Sequence, residues 1–437
     1  MRPLLLALGC VLAACSPKTN IVTLPPGVVE LDRPMEVASN TSLRGDPAGT
    51  IIRAKDGFEG AALILCRNVA NVRIENITLD GNREAVGQRI EMAPSDVPFA
   101  RFYPNNGILA VNARNLLIAD LRIGEIANFP ILVSASSGVL IERVKVKASG
   151  SHNRRGRNNT TGGILLEEGT GDFQVLDSEF RGIRGNGVWT HSLYTSPRNG
   201  GGRIAGNFFE RIGRDAIQIG HAISIDVSDN AGREIGFPVE EVDMEARAIP
   251  VAIDTAGNVE NTRYLRNRFE EVNGKCIDLD GFHHGEVREN QCVNSRPPES
   301  YPHGNFGIVM NNSNPDMQSE KIQIVGNVMD GMLFGGIFVI GSGHVLEGNK
   351  LLNLNTAQCN ENAAKFGCYY APGEPDMLQS GIYLGKGAER PAPARNNVIR
   401  DNEISGFRMQ RRCIAFAPGI RPDANYVERN ICREQGK

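Results

Sequence analysis

The stretch Val287–Val293 (VRENQCV) carries the pattern that decides the fold: apolar residues, then Asn, then another apolar residue two places later. From Asn207 onward, the shorter intervals between such phrases run from 22 to 37 residues. Each phrase alternates like a β-strand, and a loose period of this size is typical of a solenoid. The other copies are Val72–Leu79, Arg203–Phe209, Arg263–Phe269, Ile324–Met329, Val345–Leu351, Val398–Ile404 and Val427–Cys432, and related copies carry Asp120, Arg143 or Asp177 at the Asn position.

A second strand lies between these phrases and usually has a small residue before Ile or Val. Period-two alternation sends its Ile and Val inward and the intervening residues outward. We expect consecutive coils to stack as parallel strands and the Asn side chains to form a hydrogen-bonded ladder between turns. The copies include Gly163–Leu166, Gly187–Thr190, Ala216–Ile219, Pro250–Ile253, Cys276–Leu279, Gly307–Met310, Gly336–Val339, Gly381–Leu384 and Cys413–Phe416.

The 437 residues are predicted to form one elongated domain, because no linker or charge block divides the repeat region. Residues 1–14 have the short apolar run and small residues of a secretory signal peptide. Leu12-Ala13-Ala14 before Cys15 resembles a bacterial lipoprotein signal, which implies a lipid on Cys15. We expect a tether over 15–23 and the solenoid domain over 24–437. We therefore expect export to the bacterial cell envelope and attachment to a membrane by lipid.

The net charge of −3 argues against nucleic acid as a partner, because the chain has no basic footprint. Seven cysteines follow Cys15, and an oxidising compartment permits disulfides between them. Two equivalent coil positions predict the bonds Cys276–Cys292 and Cys413–Cys432. Cys359–Cys368 is predicted to close a loop, which leaves Cys66 free.

The opening Ile21–Gly60, followed by NVRIENITLDGN, resembles right-handed parallel β-helix proteins of the pectin-lyase-like superfamily. The resemblance implies an all-β, single-chain right-handed solenoid of about 10–12 coils. It covers nearly all of the mature chain. This superfamily includes lyases, hydrolases, epimerases, adhesins and phage tailspikes, so the activity has to be argued from the site.

Alignment of the second strands on their first Ile or Val predicts two outward rows on one face. Ionisable groups concentrate in the middle coils, and we take that face as the candidate site. One row holds Glu167, His191, Gly220, Asp254, Asp280 and Asn311, and the other holds Leu165, Trp189, Gln218, Ala252, Asp278, Val309, Phe338 and Tyr383. Asp215, Lys275, His221, His283 and His284 fall beside them.

In this alignment Asp254 and Asp280 are neighbours on adjacent coils, so one pKa of the pair should rise and the two can divide acid and base roles in glycoside cleavage. Asp215 or Asp278 is the alternative second carboxylate, and His191 and His283 are candidate proton shuttles. The predicted substrate contacts are Trp189, Glu167, His221, Lys275, Asn311, Phe338 and Tyr383, with the aromatic rings stacking on sugars.

Two alternatives stay open at this point. Ca²⁺ held by Asp254, Asp278 and Asp280 would suit a polysaccharide lyase or epimerase, although a hydrolase needs no cofactor. Arg214–Ile219 (RDAIQI) faintly resembles the Asp-Asp-Cys-Ile strand of polygalacturonases, with Arg214 in place of the first Asp. The same face without turnover would make a glycan-binding surface protein.

Overall fold

The computed structural model describes residues 19–246, 249–313, 317–359, 365–368, 373–387 and 390–434. The predicted signal peptide, Cys15 and the start of the tether lie outside these residues. Asn20–Thr23, which the sequence assigned to the tether, forms a strand that pairs in parallel with Thr41–Arg44. No helix in the described part of the chain is long and apolar enough to cross a membrane.

The chain forms the predicted right-handed parallel β-helix, in which each coil contributes a strand to three long parallel sheets. Sheet 1 contains Met35–Glu36, Ala62–Arg67, Asn106–Val111, Ile131–Ser134, Ile164–Glu167, Val188–His191, Ile217–Ile223, Val251–Glu260, Lys275–His283, Phe306–Asn311, Ile337–Val339, Ile382–Leu384 and Ile414–Phe416. Sheet 2 contains Asn20–Thr23, Thr41–Arg44, Ala70–Glu75, Arg114–Ala119, Ser137–Glu142, Gly171–Leu176, Asn199–Gly200, Arg203–Ala205, Asp226–Ser228, Arg263–Leu265, Glu286–Arg288, Gln323–Val325, Val345–Glu347, Val398–Arg400 and Tyr426–Glu428. Sheet 3 contains Gly27–Leu31, Thr50–Ala54, Thr78–Asp80, Arg122–Gly124, Lys145–Lys147, Glu179–Ile183, Phe208–Ile212, Ala231–Ile235, Arg268–Val272, Gln291–Val293, Val328–Asp330, Lys350–Leu354, Glu403–Gly406 and Ile431–Glu434.

Sheet 3 has 14 strands among the described residues, which is more than the expected 10–12 coils. Helical segments are short and lie in the excursions between strands. The α-helices of the described chain are Phe99–Phe102 and Met409–Arg412, and the 3-10 helices are Val239–Glu241, Met244–Ala246, Pro298–Ser300, Met377–Gln379 and Pro422–Ala424.

The predicted Asn ladder runs through the interior of the turn between sheets 2 and 3. The side-chain amide of Asn290 donates to Asn327 Oδ1 at 3.0 Å and to the Tyr264 carbonyl at 2.8 Å, and its own Oδ1 accepts from Asn267. The ladder therefore satisfies buried backbone groups that the turn leaves without partners. Its members are Asn207, Asn230, Asn267, Asn290, Asn327, Asn349, Asn402 and Asn430.

The N-terminal copies of the phrase are offset by one residue from this ladder. Leu176 pairs with Ala205, so Asp177 lies opposite Gly206, and Ser178 takes the place of Asn207. Asp177 and Gly206 both have positive φ, as do Asn76, Asp120 and Arg143. These side chains lie at the left-handed turn position, where Asn, Asp and Gly are favoured, and the assignment of Asp120, Arg143 and Asp177 to the Asn position was wrong.

The interior of the coil is a continuous hydrophobic core of Ile, Val, Leu and Phe side chains from all three sheets. The structure joins Cys276 to Cys292, Cys359 to Cys368 and Cys413 to Cys432, the pairs that the sequence indicated. Cys66 is buried as a free thiol.

Candidate functional site

The strand register of sheet 1 moves Asp254 to a different neighbour. Ile253 pairs with Ile277 and Ala256 with Asp280, so Asp254 lies opposite Asp278 and not opposite Asp280 as predicted. On the other side Asp254 pairs with Gln218. Val251–Glu260 is a ten-residue strand that begins two residues earlier in its coil than the alignment assumed. A two-residue slip keeps the same face outward, so alternation alone does not detect it.

The corrected register creates a cluster of three acidic side chains, Asp215, Asp254 and Asp278, which we call the acid cluster. Gln218 Nε2 donates to Asp254 Oδ2 at 2.7 Å. Lys275 Nζ donates to Asp278 Oδ2, and Asp278 Oδ1 is buried without a partner among the described residues. The two carboxyl groups on adjacent strands are therefore held by different partners, one by an amide and the other by an ammonium.

Asp215 belongs to the acid cluster although it precedes its strand. Its Oδ1 accepts a hydrogen bond from the backbone N–H of Val251 at 2.9 Å, and Arg214 Nε lies 3.5 Å from its Oδ2. Asn186 Oδ1 accepts from the backbone N–H of Asp215, and the Asn186 amide donates to Gln218 Oε1 at 2.7 Å. One polar network thus connects three successive coils.

Burial of this network changes the proton affinity of its members. Burial raises the pKa of Asp215 to about 6. Burial, with the charges of Asp215 and Asp278, raises the pKa of Asp254 well above its ordinary value. Burial also raises the pKa of Asp278, but the Lys275 ammonium opposes that rise. For Lys275, burial disfavours the ammonium, and the Asp278 charge outweighs it, so its pKa rises.

The arrangement therefore places Asp254, whose raised pKa favours the protonated form, beside Asp278, whose anionic form the Lys275 ammonium favours. A carboxylic acid next to a carboxylate is the pair that general acid and base catalysis requires. Asp254 is 9% exposed and Asp278 is 7% exposed, so the pair lies at the bottom of a notch that solvent barely reaches.

Two pockets lie on either side of the acid cluster along sheet 1. The N-side pocket, of about 250 Å³, contains Gln218 and is lined mainly by polar and aromatic groups. The C-side pocket, of about 290 Å³, contains Lys275 and is mostly apolar. The N-side pocket includes Trp189, His191, Tyr194, His221, Asp280 and Ser313, and the C-side pocket includes His303, Phe306, Val309, Asn311, Phe338 and Glu374.

Several predicted contacts are covered by excursions of the chain. Glu167 is fully buried, and its two oxygens accept hydrogen bonds from the N–H groups of Phe99 and Ala100, each at 2.8 Å. Trp189 is 7% exposed and packs edge-on against Phe99. Tyr383 is fully buried. The segment around helix Phe99–Phe102 lies over Glu167, and Tyr383 is closed off from solvent, so neither side chain is open to a ligand in this structure, and their substrate-contact roles stay predictions.

Two histidines of the face, His191 and His221, hold a proton less readily than a free imidazole because they are buried. Burial lowers the pKa of His191 to about 4, and its ring stacks on Phe99 at 4.8 Å. Burial also lowers the pKa of His221, whose ring meets Tyr194 edge-on. His344, a turn histidine outside the face, is also buried: its Nδ1 accepts from the Ile322 N–H, and its ring replaces an Asn in a second turn.

The predicted calcium ligands Asp254, Asp278 and Asp280 each have another partner. Asp280 accepts hydrogen bonds from the backbone N–H and hydroxyl of Ser313, and Lys275 holds Asp278. Calcium would have to displace these groups, and the site stays an untested prediction. In the described part of the chain, ligand atoms converge within 4.8 Å at two other places: Glu260, His283 and His284, and Glu167, Glu168 and His191.

Sequence reasoning missed Asn186 and the bond from Gln218 to Asp254. Asn186 and Gln218 are amides near the second strand, and amides are common there in a solenoid. One signal would have given the correct partner of Asp254: the run Ala252–Thr255 (AIDT) matches Cys276–Leu279 (CIDL) in its Ile-Asp core.

No protein-family model matches the chain, and no curated protein sequence does. Several solved structures have a similar fold. The tailspike protein of E. coli bacteriophage HK620, in complex with a pentasaccharide, has a TM-score of 0.58 at 11% identity, covering 91% of this chain and 72% of that one. For PfbA, a surface adhesin of Streptococcus pneumoniae, the TM-score is 0.52 at 11% identity, with coverages of 87% and 82%. For the catalytic domain of a GH87 α-1,3-glucanase with tetrasaccharides, it is 0.50 at 11% identity, with coverages of 93% and 64%. Similarity at these identities shows the parallel β-helix fold alone.

Proposed function

We propose that the protein binds a polysaccharide along sheet 1 and cleaves a glycosidic bond at the acid cluster. The observation that carries the proposal is that Gln218, which holds Asp254, lines the N-side pocket, and Lys275, which holds Asp278, lines the C-side pocket. In the proposal a sugar chain occupies both pockets, with the scissile linkage at the two carboxyl groups. Two similar structures hold oligosaccharides, which supports a carbohydrate ligand for this fold.

In this proposal Asp254 is the general acid, because its pKa lies well above that of an ordinary carboxyl group and so favours the protonated form. It protonates the leaving-group oxygen of the glycosidic bond. Asp278 is the anionic partner, and its unpartnered Oδ1 is the atom that would receive a proton from water or contact the developing positive charge at the sugar carbon. Gln218 and Lys275 are positioning residues, since each acts through the carboxyl group that it holds.

The test is product formation from a panel of polysaccharides, measured as new reducing ends and as chain length. We expect Asp254→Asn and Asp278→Asn each to lower turnover by at least 10³-fold while both variants still unfold cooperatively on heating. Asp229→Asn is a matched control, because Asp229 is paired with Arg266 on the exposed surface of sheet 2 and away from the pockets. Wild-type turnover in both cluster variants would refute the proposal.

Elimination is the second candidate reaction, because the Lys275 ammonium beside Asp278 is a cation that can neutralise a uronate carboxylate, which elimination requires. A lyase product contains a new double bond and absorbs ultraviolet light, whereas a hydrolysis product does not. Absorbance that rises with the new reducing ends would assign elimination. Saturable binding without chain shortening would assign a glycan-binding protein instead.

We also propose that the protein is exported and lipid-anchored through Cys15. This proposal rests on the Leu-Ala-Ala-Cys order. Incorporation of labelled palmitate into the wild type, and its loss in Cys15→Ala, is the expected result. Equal labelling of both would contradict it.

A further inference from the structure

The turn that ends strand Lys275–His283 places two histidine rings side by side. Consecutive residues of an extended strand point to opposite faces. His284 breaks this rule, because its φ of 51° lies in the left-handed region, which residues other than glycine rarely adopt. Its ring centroid comes to 5.5 Å from that of His283. This backbone conformation is what makes the two imidazoles neighbours.

A carboxylate from the previous coil joins the two rings. Glu260 is the in-register partner of His283 in sheet 1. One ligand atom from each of Glu260, His283 and His284 lies within 4.8 Å of the others. On the next coil, the backbone N–H of His284 donates to the Glu320 carbonyl at 3.0 Å, and Glu320 Oε1 lies 3.3 Å from His284 Nε2. Three side chains with nitrogen and oxygen donors thus converge from two successive coils, and Glu320 of the next coil lies beside one of them, His284.

The hydrogen bonds of the rings leave donor atoms for a metal ion. His283 Nδ1 is 3.1 Å from the Gly281 carbonyl, which can only accept, so Nδ1 carries the proton and Nε2 keeps a free lone pair. A histidine that donates its second ring N–H to a carbonyl is the usual outer arrangement around a bound metal. His284 Nδ1 is buried and has no hydrogen-bond partner in the described part of the chain. A buried ring nitrogen without a partner is costly unless something satisfies it.

We propose that Glu260, His283 and His284 bind a divalent transition metal ion, with Glu320 available as a fourth ligand. Two imidazoles and carboxylates suit Zn²⁺, whereas Ca²⁺ prefers oxygen ligands alone. Zinc bonds of about 2.0–2.1 Å place tetrahedral ligands about 3.4 Å apart, so the three donors have to close by on the order of 1 Å.

Two cationic side chains lie against the ligand residues and would oppose the binding of a metal ion. Lys321 Nζ lies 3.3 Å from His284 Nε2, and Arg198 donates to Glu260 Oε2 at 3.1 Å. Arg198 also holds Asn258, and it leaves the second Glu260 oxygen free. Lys321 is the direct competitor, because its ammonium occupies the position next to a ligand nitrogen. A bound ion would tie three coils together at the edge of sheet 1, beyond the N-side pocket.

The metal-free full chain is titrated with Zn²⁺ alone, and binding is measured by calorimetry. The same titration with Ca²⁺ is the comparison. We expect one Zn²⁺ per chain, no displacement by Ca²⁺, and a thermal midpoint that rises with zinc concentration. His283→Ala and His284→Asn should each weaken binding at least 30-fold, and Asn at 284 keeps a residue that tolerates the left-handed backbone. His221→Ala is the matched control, since this histidine also has positive φ on the same side of sheet 1 but is outside the set.

Lys321→Gln gives a second measurement, which looks for a gain in zinc affinity and not for a loss. Removal of the competing ammonium should tighten zinc binding several-fold, a result that a purely structural role of the histidines would not produce. Unchanged zinc binding in both histidine variants, or no tightening in Lys321→Gln, would overturn the proposal. Asp254→Asn should bind zinc as the wild type does, so the outcome is independent of the proposed polysaccharide cleavage.

Discussion

Substitution of Asp215 by Asn should make the protein more stable at neutral pH. The Asp215 side chain is almost fully buried, and burial raises its pKa from 3.8 to about 6. An Asn side chain can still accept the hydrogen bond from the Val251 N–H with its amide oxygen. The variant therefore keeps the local contact and removes only the ionisation.

The expected size and sign follow from linkage between ionisation and folding. Between about pH 4 and pH 6 the native chain holds a proton on Asp215 that the unfolded chain has lost, so stability falls as pH rises through this window. The difference between 3.8 and about 6, at about 1.36 kcal/mol for each pH unit, is about 3 kcal/mol. The wild type carries this cost fully above about pH 6, and Asp215→Asn does not carry it.

The assay is equilibrium unfolding in urea followed by circular dichroism, with coinciding unfolding and refolding curves, at pH 4 and pH 8. We expect the two proteins to be nearly equal in stability at pH 4 and the variant to be about 3 kcal/mol more stable at pH 8. Asp229→Asn is the control of opposite sign, because Arg266 lowers the pKa of the exposed Asp229 and the amide should give no gain at pH 8. An Asp215→Asn protein that is less stable than wild type at both pH values would refute the reasoning.

Three further predictions test the scaffold around the site. Asn290→Ala removes a buried ladder amide and should lower the urea unfolding free energy by about 3 kcal/mol, because several backbone and side-chain groups lose their partners. Gly163→Ala places a methyl group 1.8 Å from the Gly187 carbonyl oxygen, so we expect little soluble folded protein in a sedimentation assay. Glu167→Ala removes the acceptor for two N–H groups of helix Phe99–Phe102 and should speed limited proteolysis of that segment without changing the β-sheet circular dichroism.

The pattern of the sequence was sufficient for the architecture and for much of the interior. The Asn phrases and the Ile strands predicted the sheets, the ladder and the face that carries the ionisable groups. Strand alternation and the coil repeat both depend on spacing between residues near each other in the sequence, so they can be read from it directly. Asp254 and Asp278 were both on the expected face. Their pairing was missed because the alignment of Val251 with Ile277 was off by two residues, which leaves alternation intact.

The local sequence pattern could not predict which residues on the outer face of sheet 1 are covered by other segments of the chain. Glu167 matched the outward row exactly as expected, and the register confirms that it pairs with His191. Nothing in the strand itself indicates that helix Phe99–Phe102, more than 60 residues earlier, lies over it. His344 is a second case, because a lone histidine in a turn carries no sign of burial, whereas the fold uses its ring nitrogens as hydrogen-bonding groups in the interior.

The sequence by itself determined that this protein is a parallel β-helix, which side of each strand faces inward, and which strands carry acidic groups. These properties depend on spacing within one coil. Only the tertiary structure decided that Asp254 meets Asp278, that Lys275 and Gln218 hold them, and that the excursions leave two pockets on either side of the pair. The physical reason is that contacts between coils depend on register and on where long loops return, and neither leaves a periodic trace in the chain.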